Sequence, residues 1–175
     1  MTLDKVEGFV KAWSSCAVRG HRDHRQIGAK KTRTEKFSSP LPQYLSDRFG
    51  REETTRGFAA RYNALPPEER AKTGIFCGNY GGASAVNVLG SKYGLPVAIS
   101  GHQNYFYWGW NGYTGESMLT LGDDARDYAK SYENVIDLGV FDAPWIMDHE
   151  HHRYFLLKHR KPSYAEEWPE FKYWY

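Results

Sequence analysis

The sequence predicts an α/β fold, a small mixed and mainly parallel sheet with helices packed on it. Three observations point there. The first is the stretch TGIFCGNYGGASAVNVLGSKYGLPVAISGHQNYFYWG, which begins at Thr73. Its apolar run Ile75, Phe76, Cys77 stops at Gly78 and gives way to residues with helical rather than alternating spacing. A second apolar run, Val97, Ala98, Ile99, starts after Pro96. Two short strands bridged by one helix form a βαβ unit, whose strands lie parallel. The second observation is that strand and helix patterns continue to alternate downstream, the mark of a layered α/β sandwich. The third is length: 175 residues suit one domain, enough to bury about two thirds of the unfolded chain's surface.

Taken in order, residues 1–36 differ from the rest. After a short amphipathic piece, Val6 to Trp13, the chain reads RGHRDHRQIGAKKTRTEK, basic and nearly free of apolar residues. Such a segment contributes little to a core and reads as a poorly ordered arm, or else as a basic arm for an anionic surface. The α/β domain is expected over 37–175. Pro40 and Pro42 stiffen its entry, and a short helical turn is expected over Gln43 to Phe49. A helix from Glu52 to about Leu65 follows, with acidic residues in its first turn and the stripe Phe58, Tyr62, Leu65 on one face. Pro66 and Pro67 should stop it, leaving Glu68 to Lys72 as a polar connection. In the bridging helix, Ala83, Val86 and Val88 to Leu89 can form a buried stripe, and Gly90 or Gly94 can supply the left-handed end. Further strands are expected at Glu116 to Leu121, Val135 to Leu138 and Tyr154 to Leu157. A helix from Ala125 to Tyr132 is expected between the first two of these, capped by Asp123 or Asp124. The resulting order β, α, β, β, α, β, β implies a two- or three-layer, Rossmann-like sandwich with at least one antiparallel edge strand.

Composition excludes several classes. The formal charge of +2 is too small to imply nucleic acid or a membrane surface. Aromatic residues make up 16% and crowd Tyr105 to Tyr113 and Trp168 to Tyr175, which suits sugar stacking, protein interfaces and membrane interfaces alike. No apolar run reaches membrane-spanning length, and no secretion signal precedes the chain as written. Cys77 reads as a buried apolar residue and Cys16 as part of the arm, so no disulfide is expected.

Candidate chemistry gathers where the two parallel strands end, the usual ligand edge of open α/β sheets. The loop Gly78, Asn79, Tyr80, Gly81, Gly82, Ala83, Ser84 runs into a helix and could present amides to an anion. It lacks the Lys-Ser/Thr pair of a P-loop, and on spacing alone glycines for a tight strand-to-helix turn explain it better. His102, Asn104 and Tyr105 follow the second strand, with Trp108 or Trp110 as a stacking plate. They suit a polar ring-shaped ligand, or they tie the loop to its own backbone. The candidate ligand-binding set is therefore Asn79, Tyr80, Gly81, Gly82, His102, Asn104, Tyr105 and Trp108, with Glu116 nearby in a soluble-enzyme reading. His149, Glu150, His151 and His152 lack the spacing of a zincin helix, and Cys16, His21 and His24 match no zinc pattern, so neither a metal nor any cofactor is expected. No serine elbow or paired nucleophile and base is evident, so no catalytic residue is assigned.

The ordered motifs PLPQY from Pro40, LPPEE from Leu65, IFCGNYGGASA from Ile75, YGLP from Tyr93, SGHQN from Ser100, GYTGE from Gly112 and EEWPEFKYW from Glu166 carry a resemblance. The chain resembles, over Pro40 to Trp174, the soluble carboxyl-terminal domain of bacterial membrane glycosyltransferases of family 39, relatives of dolichyl-phosphate-mannose protein mannosyltransferases. Gly82 stands where that family's turn has glutamate, and Gln103 where it has asparagine. The resemblance implies a non-catalytic module on the extracytoplasmic side that assists acceptor or sugar binding or caps the active site. The family's acidic catalytic residue and lipid-linked sugar site belong to its membrane part, so a polyprenyl-phosphate sugar would be met through a membrane partner. Other readings are a stand-alone protein or soluble enzyme that takes a sugar or sugar phosphate in the strand-end pocket, and an interaction module docking through the rings of Trp168 to Tyr175.

Overall fold

The computed structural model describes residues 46, 48–146 and 152–174. The expected basic arm, the Pro40 entry, the Gln43 turn up to residue 45, Cys16, His21, His24 and the His149 to His151 cluster lie outside the described residues. Within them the chain forms α1 (Arg51–Ala64), α2 (Pro67–Arg70), β1 (Thr73–Phe76), α3 (Tyr80–Leu89), β2 (Ala98–Ile99), β3 (Ser117–Gly122), β4 (Tyr132–Val140), β5 (Arg153–Arg160) and α4 (Tyr164–Glu167). The five strands lie in the order β2-β1-β3-β5-β4. The central strand β1 pairs in parallel with both β2 and β3, while β5 runs antiparallel to β3 and β4.

The edge strand β4 is thus held by antiparallel pairing, as expected, and the strand that runs against all the others, β5, sits inside the sheet. After β3 the chain skips one position to lay down β4, and the return from β4 fills the gap. The helix expected over Ala125 to Tyr132 is replaced. Asp124 caps a single 3-10 turn, Ala125–Asp127, and β4 begins already at Tyr132; Ala125 and Tyr128 pack on the sheet from this turn, and Tyr132 is buried as the first residue of β4 rather than as the last of a helix. Pro66 and Pro67 do stop α1, which ends at Ala64, but part of the expected polar connection Glu68 to Lys72 is helical, since Pro67 starts α2 at a first-turn position that tolerates its missing amide.

Strand alternation sorts the core into two layers. On one face Ile75, Leu119, Tyr154 and Leu156 pack with Phe58 and Tyr62 of α1 and Ala83 and Val86 of α3. On the other face Met118, Phe155 and Leu157 pack with Tyr132, Tyr164 and Trp168. Val88, expected in the buried stripe of α3, points out and is 75% exposed, because α3 already covers the sheet with Ala83 and Val86.

Helix α1 lies directly on β5. Arg61 donates to the carbonyl of Leu138 at 3.0 and 3.2 Å and sets its guanidinium 3.8 Å from the Tyr154 ring centre. The Tyr154 hydroxyl donates to the Thr54 carbonyl at 3.1 Å. Gly57 permits this approach, since a Cβ there would stand 1.9 Å from the Tyr154 hydroxyl. At the start of α1, Gly50 adopts φ +80 and a Cβ would meet Ile146 at 2.6 Å, so both conformation and space require glycine.

The carboxyl-terminal rings divide. Trp168 is buried, and its indole donates to the Phe106 carbonyl at 3.0 Å. Tyr173 forms a parallel bridge with His102, continuing the sheet beyond β2. Asn87 finishes that edge: its side-chain amide accepts from Ala98 N–H at 2.6 Å and donates to Ala98 C=O at 3.1 Å, standing in for a neighbouring strand.

Candidate functional site

A cleft of about 340 Å³ opens where β1 and β3 end, beneath the first turns of α1 and α3. The register explains its make-up. Cys77, one residue past β1, and Leu121 of β3 point to the α1 side and form its floor with Phe58. Arg51 and Thr54 come from α1, Asn79 and Gly82 from the β1–α3 turn, His152 from the start of β5 and Tyr173 from the terminal segment. An apolar floor with a few polar groups at the rim is the usual form of a small-molecule site.

The loops after β1 and β2 meet at this edge. The amide of Tyr80 donates to Nδ1 of His102 at 3.3 Å, and the His102 ring lies between Tyr80 and Tyr173, stacked on the latter at 4.5 Å. Burial holds His102 below its usual pKa, so the neutral ring carries its proton on Nε2, which has no partner. The first turn of α3 is largely satisfied from within: Asn79 accepts from Gly82 N–H at 2.8 Å and caps the helix, and His102 takes the Tyr80 amide. The glycine loop is thus a capped turn more than an open anion nest. A Cβ on Gly81 would fall 3.3 Å from both terminal nitrogens of Arg51, so the absent side chain lets the guanidinium lie against the loop.

Opposite, Nδ1 of His152 and Oδ1 of Asp123 are 2.7 Å apart. That bond fixes the imidazole and leaves Nε2 as the group able to accept or donate. Cys77 shares the floor, but burial pushes its thiol up to about 12 against the weaker pull of Arg51, so it is no ready nucleophile.

The eight residues expected from sequence separate into two groups. Asn79 and Gly82 line the cleft, and Tyr80, Gly81 and His102 form its shoulder. Asn104, Tyr105 and Trp108 lie farther out on the 3-10 turn Gln103–Trp108. There Tyr105 donates to Ser84 at 3.2 Å and packs on Trp108 at 4.3 Å, leaving Trp108 68% exposed. Glu116 is at the other end of the sheet, paired with Lys72 at 3.0 Å, and so is no neighbour of His102. Arg51, Asp123, His152 and Tyr173 were not foreseen as site residues, because only topology brings them to the cleft. Among the described residues, no group of three or more His, Cys, Asp and Glu could hold a metal ion, and no helix is long and apolar enough to cross a membrane.

Fold and cleft together define a small α/β protein with a cleft at the carboxyl ends of parallel strands. Compared with protein-family models, curated proteins and solved structures, the chain has no significant match.

Proposed function

We propose that the chain is a non-catalytic binding module that takes a sugar or sugar phosphate in its strand-end cleft. In this reading it is a counterpart of the extracytoplasmic carboxyl-terminal domain of a lipid-linked-sugar glycosyltransferase, helping to bind acceptor or sugar. The observation that carries the proposal is the convergence of Arg51, Asn79 and His152 around one apolar-floored cleft. A guanidinium suits an anionic group, an amide and an imidazole suit hydroxyls, and Phe58 and Leu121 suit the C–H face of a ring. The buried, protonated Cys77 supports a non-catalytic role. The motif series from PLPQY to EEWPEFKYW supports the family reading. Calorimetry and ligand-observed NMR against neutral sugars, sugar phosphates and nucleotides test it. Binding of sugars or sugar phosphates is expected, and uniform silence at millimolar concentration contradicts it. Sugar transfer from a polyprenyl-phosphate donor by the purified chain alone would overturn the non-catalytic part.

One observation favours a second reading, a soluble enzyme. A histidine oriented by a carboxylate at Nδ1 has the arrangement of a general base. Turnover of a sugar ester or phosphate, lost on His152→Ala with the fold intact, would decide for that reading.

A further inference from the structure

The exposed apolar surface of the described residues is unevenly placed. Apart from Ile136 and Val140 on β4, every exposed large apolar side chain lies on the β2 side: Tyr80, Val88, Val97, Tyr107, Trp108 and Trp174. Tyr107 and Trp108 are 62% and 68% exposed and Trp174 48%. Concentrations of this kind mark interaction surfaces.

The backbone at this edge is already spoken for. Asn87 satisfies Ala98 on its outer side, Tyr113 donates to the Val97 carbonyl at 2.7 Å, and Tyr173 bridges His102. A partner strand has nothing to pair with here, so side chains must do the binding.

Charge narrows the partner. No Asp, Glu, Lys or Arg occurs between Lys92 and Glu116, which covers the entire ring-bearing loop. Lys172 is the cation set among the rings, 4.9 Å from Tyr107 and 5.6 Å from Trp174. One ammonium is a poor match for a polyanionic surface, which is held by clusters of cations. The exposed polar side chains of that loop are instead neutral, Asn104, Asn111 and Thr114. The rings do not merge into one flat apolar sheet either. Tyr107 and Trp174 stand 6.3 Å apart and tilted by 54°, while Trp108 leans on Tyr105 at 55°. Separate plates at different inclinations, flanked by neutral hydrogen-bonding groups, fit a chain of pyranose rings, whose C–H faces are separate and whose hydroxyls are uncharged.

We infer that the β2-side surface is a docking face for a neutral glycan chain, with Tyr107, Trp108 and Trp174 as stacking plates and Asn104, Asn111 and Lys172 bonding hydroxyls. None of the three plates lines the cleft, so this face stands independently of the cleft reading. The test is titration of the full chain with maltohexaose, cellohexaose, mannohexaose and chitohexaose, followed by tryptophan fluorescence and amide NMR. At least one should bind, with shifts over Gln103 to Asn111 and at Trp174. Trp108→Ala and Trp174→Ala should each weaken it about three- to tenfold and the double variant should abolish it, with unchanged urea midpoints. The inference is overturned if no oligosaccharide binds at millimolar concentration or if binding survives the double variant. It is equally overturned if these rings instead mediate association with phosphatidylglycerol vesicles or with a second copy. A cleft variant such as Gly82→Glu should leave oligosaccharide binding intact, so failure of the cleft and failure of this face are told apart.

Discussion

Tyr80 and His102 join the two loops of the βαβ unit: the amide of the first helical residue of α3 donates to Nδ1 of an imidazole that follows β2. Because that bond needs an unprotonated Nδ1, the imidazole's charge state and the geometry of the cleft's shoulder are linked. Burial lowers the folded pKa of His102 below 6.5, so the unfolded chain binds the proton more readily. The contribution of His102 is therefore fully present above pH 6.5 and is lost as pH falls from there toward the folded pKa. Urea midpoints measured from pH 8 to pH 5 should fall more steeply for the wild type than for His102→Asn, which keeps an acceptor but cannot titrate. Parallel curves would refute the linkage.

Gly57 tests how closely α1 sits on β5. Helix propensity alone favours alanine over glycine by about 1 kcal/mol in an exposed position. Here the added methyl would collide with the Tyr154 hydroxyl, and overpacking of this kind costs about 1–3 kcal/mol. Gly57→Ala should lower the urea midpoint, and a gain in stability would contradict the packing.

Cys77 should behave as a core residue. With its thiol pushed up to about 12, it should resist iodoacetamide at pH 8 in a Cys16→Ser background and react only once urea unfolds the chain. Rapid labelling of the folded protein would reopen the case for a nucleophile in the cleft.

The tail splits into a structural and an exposed part. Trp168→Ala removes a buried ring and an indole bond to Phe106, and should cost about 3–5 kcal/mol. Trp174→Ala should stay within about 0.5 kcal/mol of wild type. Comparable losses at both positions would contradict the assignment.

Much of the sheet was legible in the sequence because β1, α3 and β2 obey local rules: an apolar run, a glycine stop and a proline-led second strand. The meeting of the Asn79 and His102 loops followed from parallel pairing alone. What was not legible depended on distant partners. Nothing near Tyr154 announces that β5 is inserted between β3 and β4, and Asp124 with Ala125 looks like a helix start, yet after one turn the chain is drawn out to lay Tyr132 into β4 beside β5. Arg51 and His152 are separated from Asn79 by α1 on one side and most of the sheet on the other, so no spacing rule could group them. Glu116 was placed near His102 because its strand was known and the strand's direction was not.

Gly82 offers a probe of the resemblance. A Cβ there has ordinary room, 3.6 Å from its nearest neighbours, and faces the cleft. Gly82→Glu, the residue of the resembled family, should fold normally and weaken an anionic ligand at least tenfold through repulsion. An unchanged affinity would place that ligand elsewhere.

The most direct measurement is an amide NMR titration of the full chain with hexose phosphates. The cleft reading predicts shifts concentrated at Arg51, Asn79, Gly82, His152 and Tyr173. Silence throughout, or shifts confined to the opposite end of the sheet around Glu69 and Lys158, would contradict it.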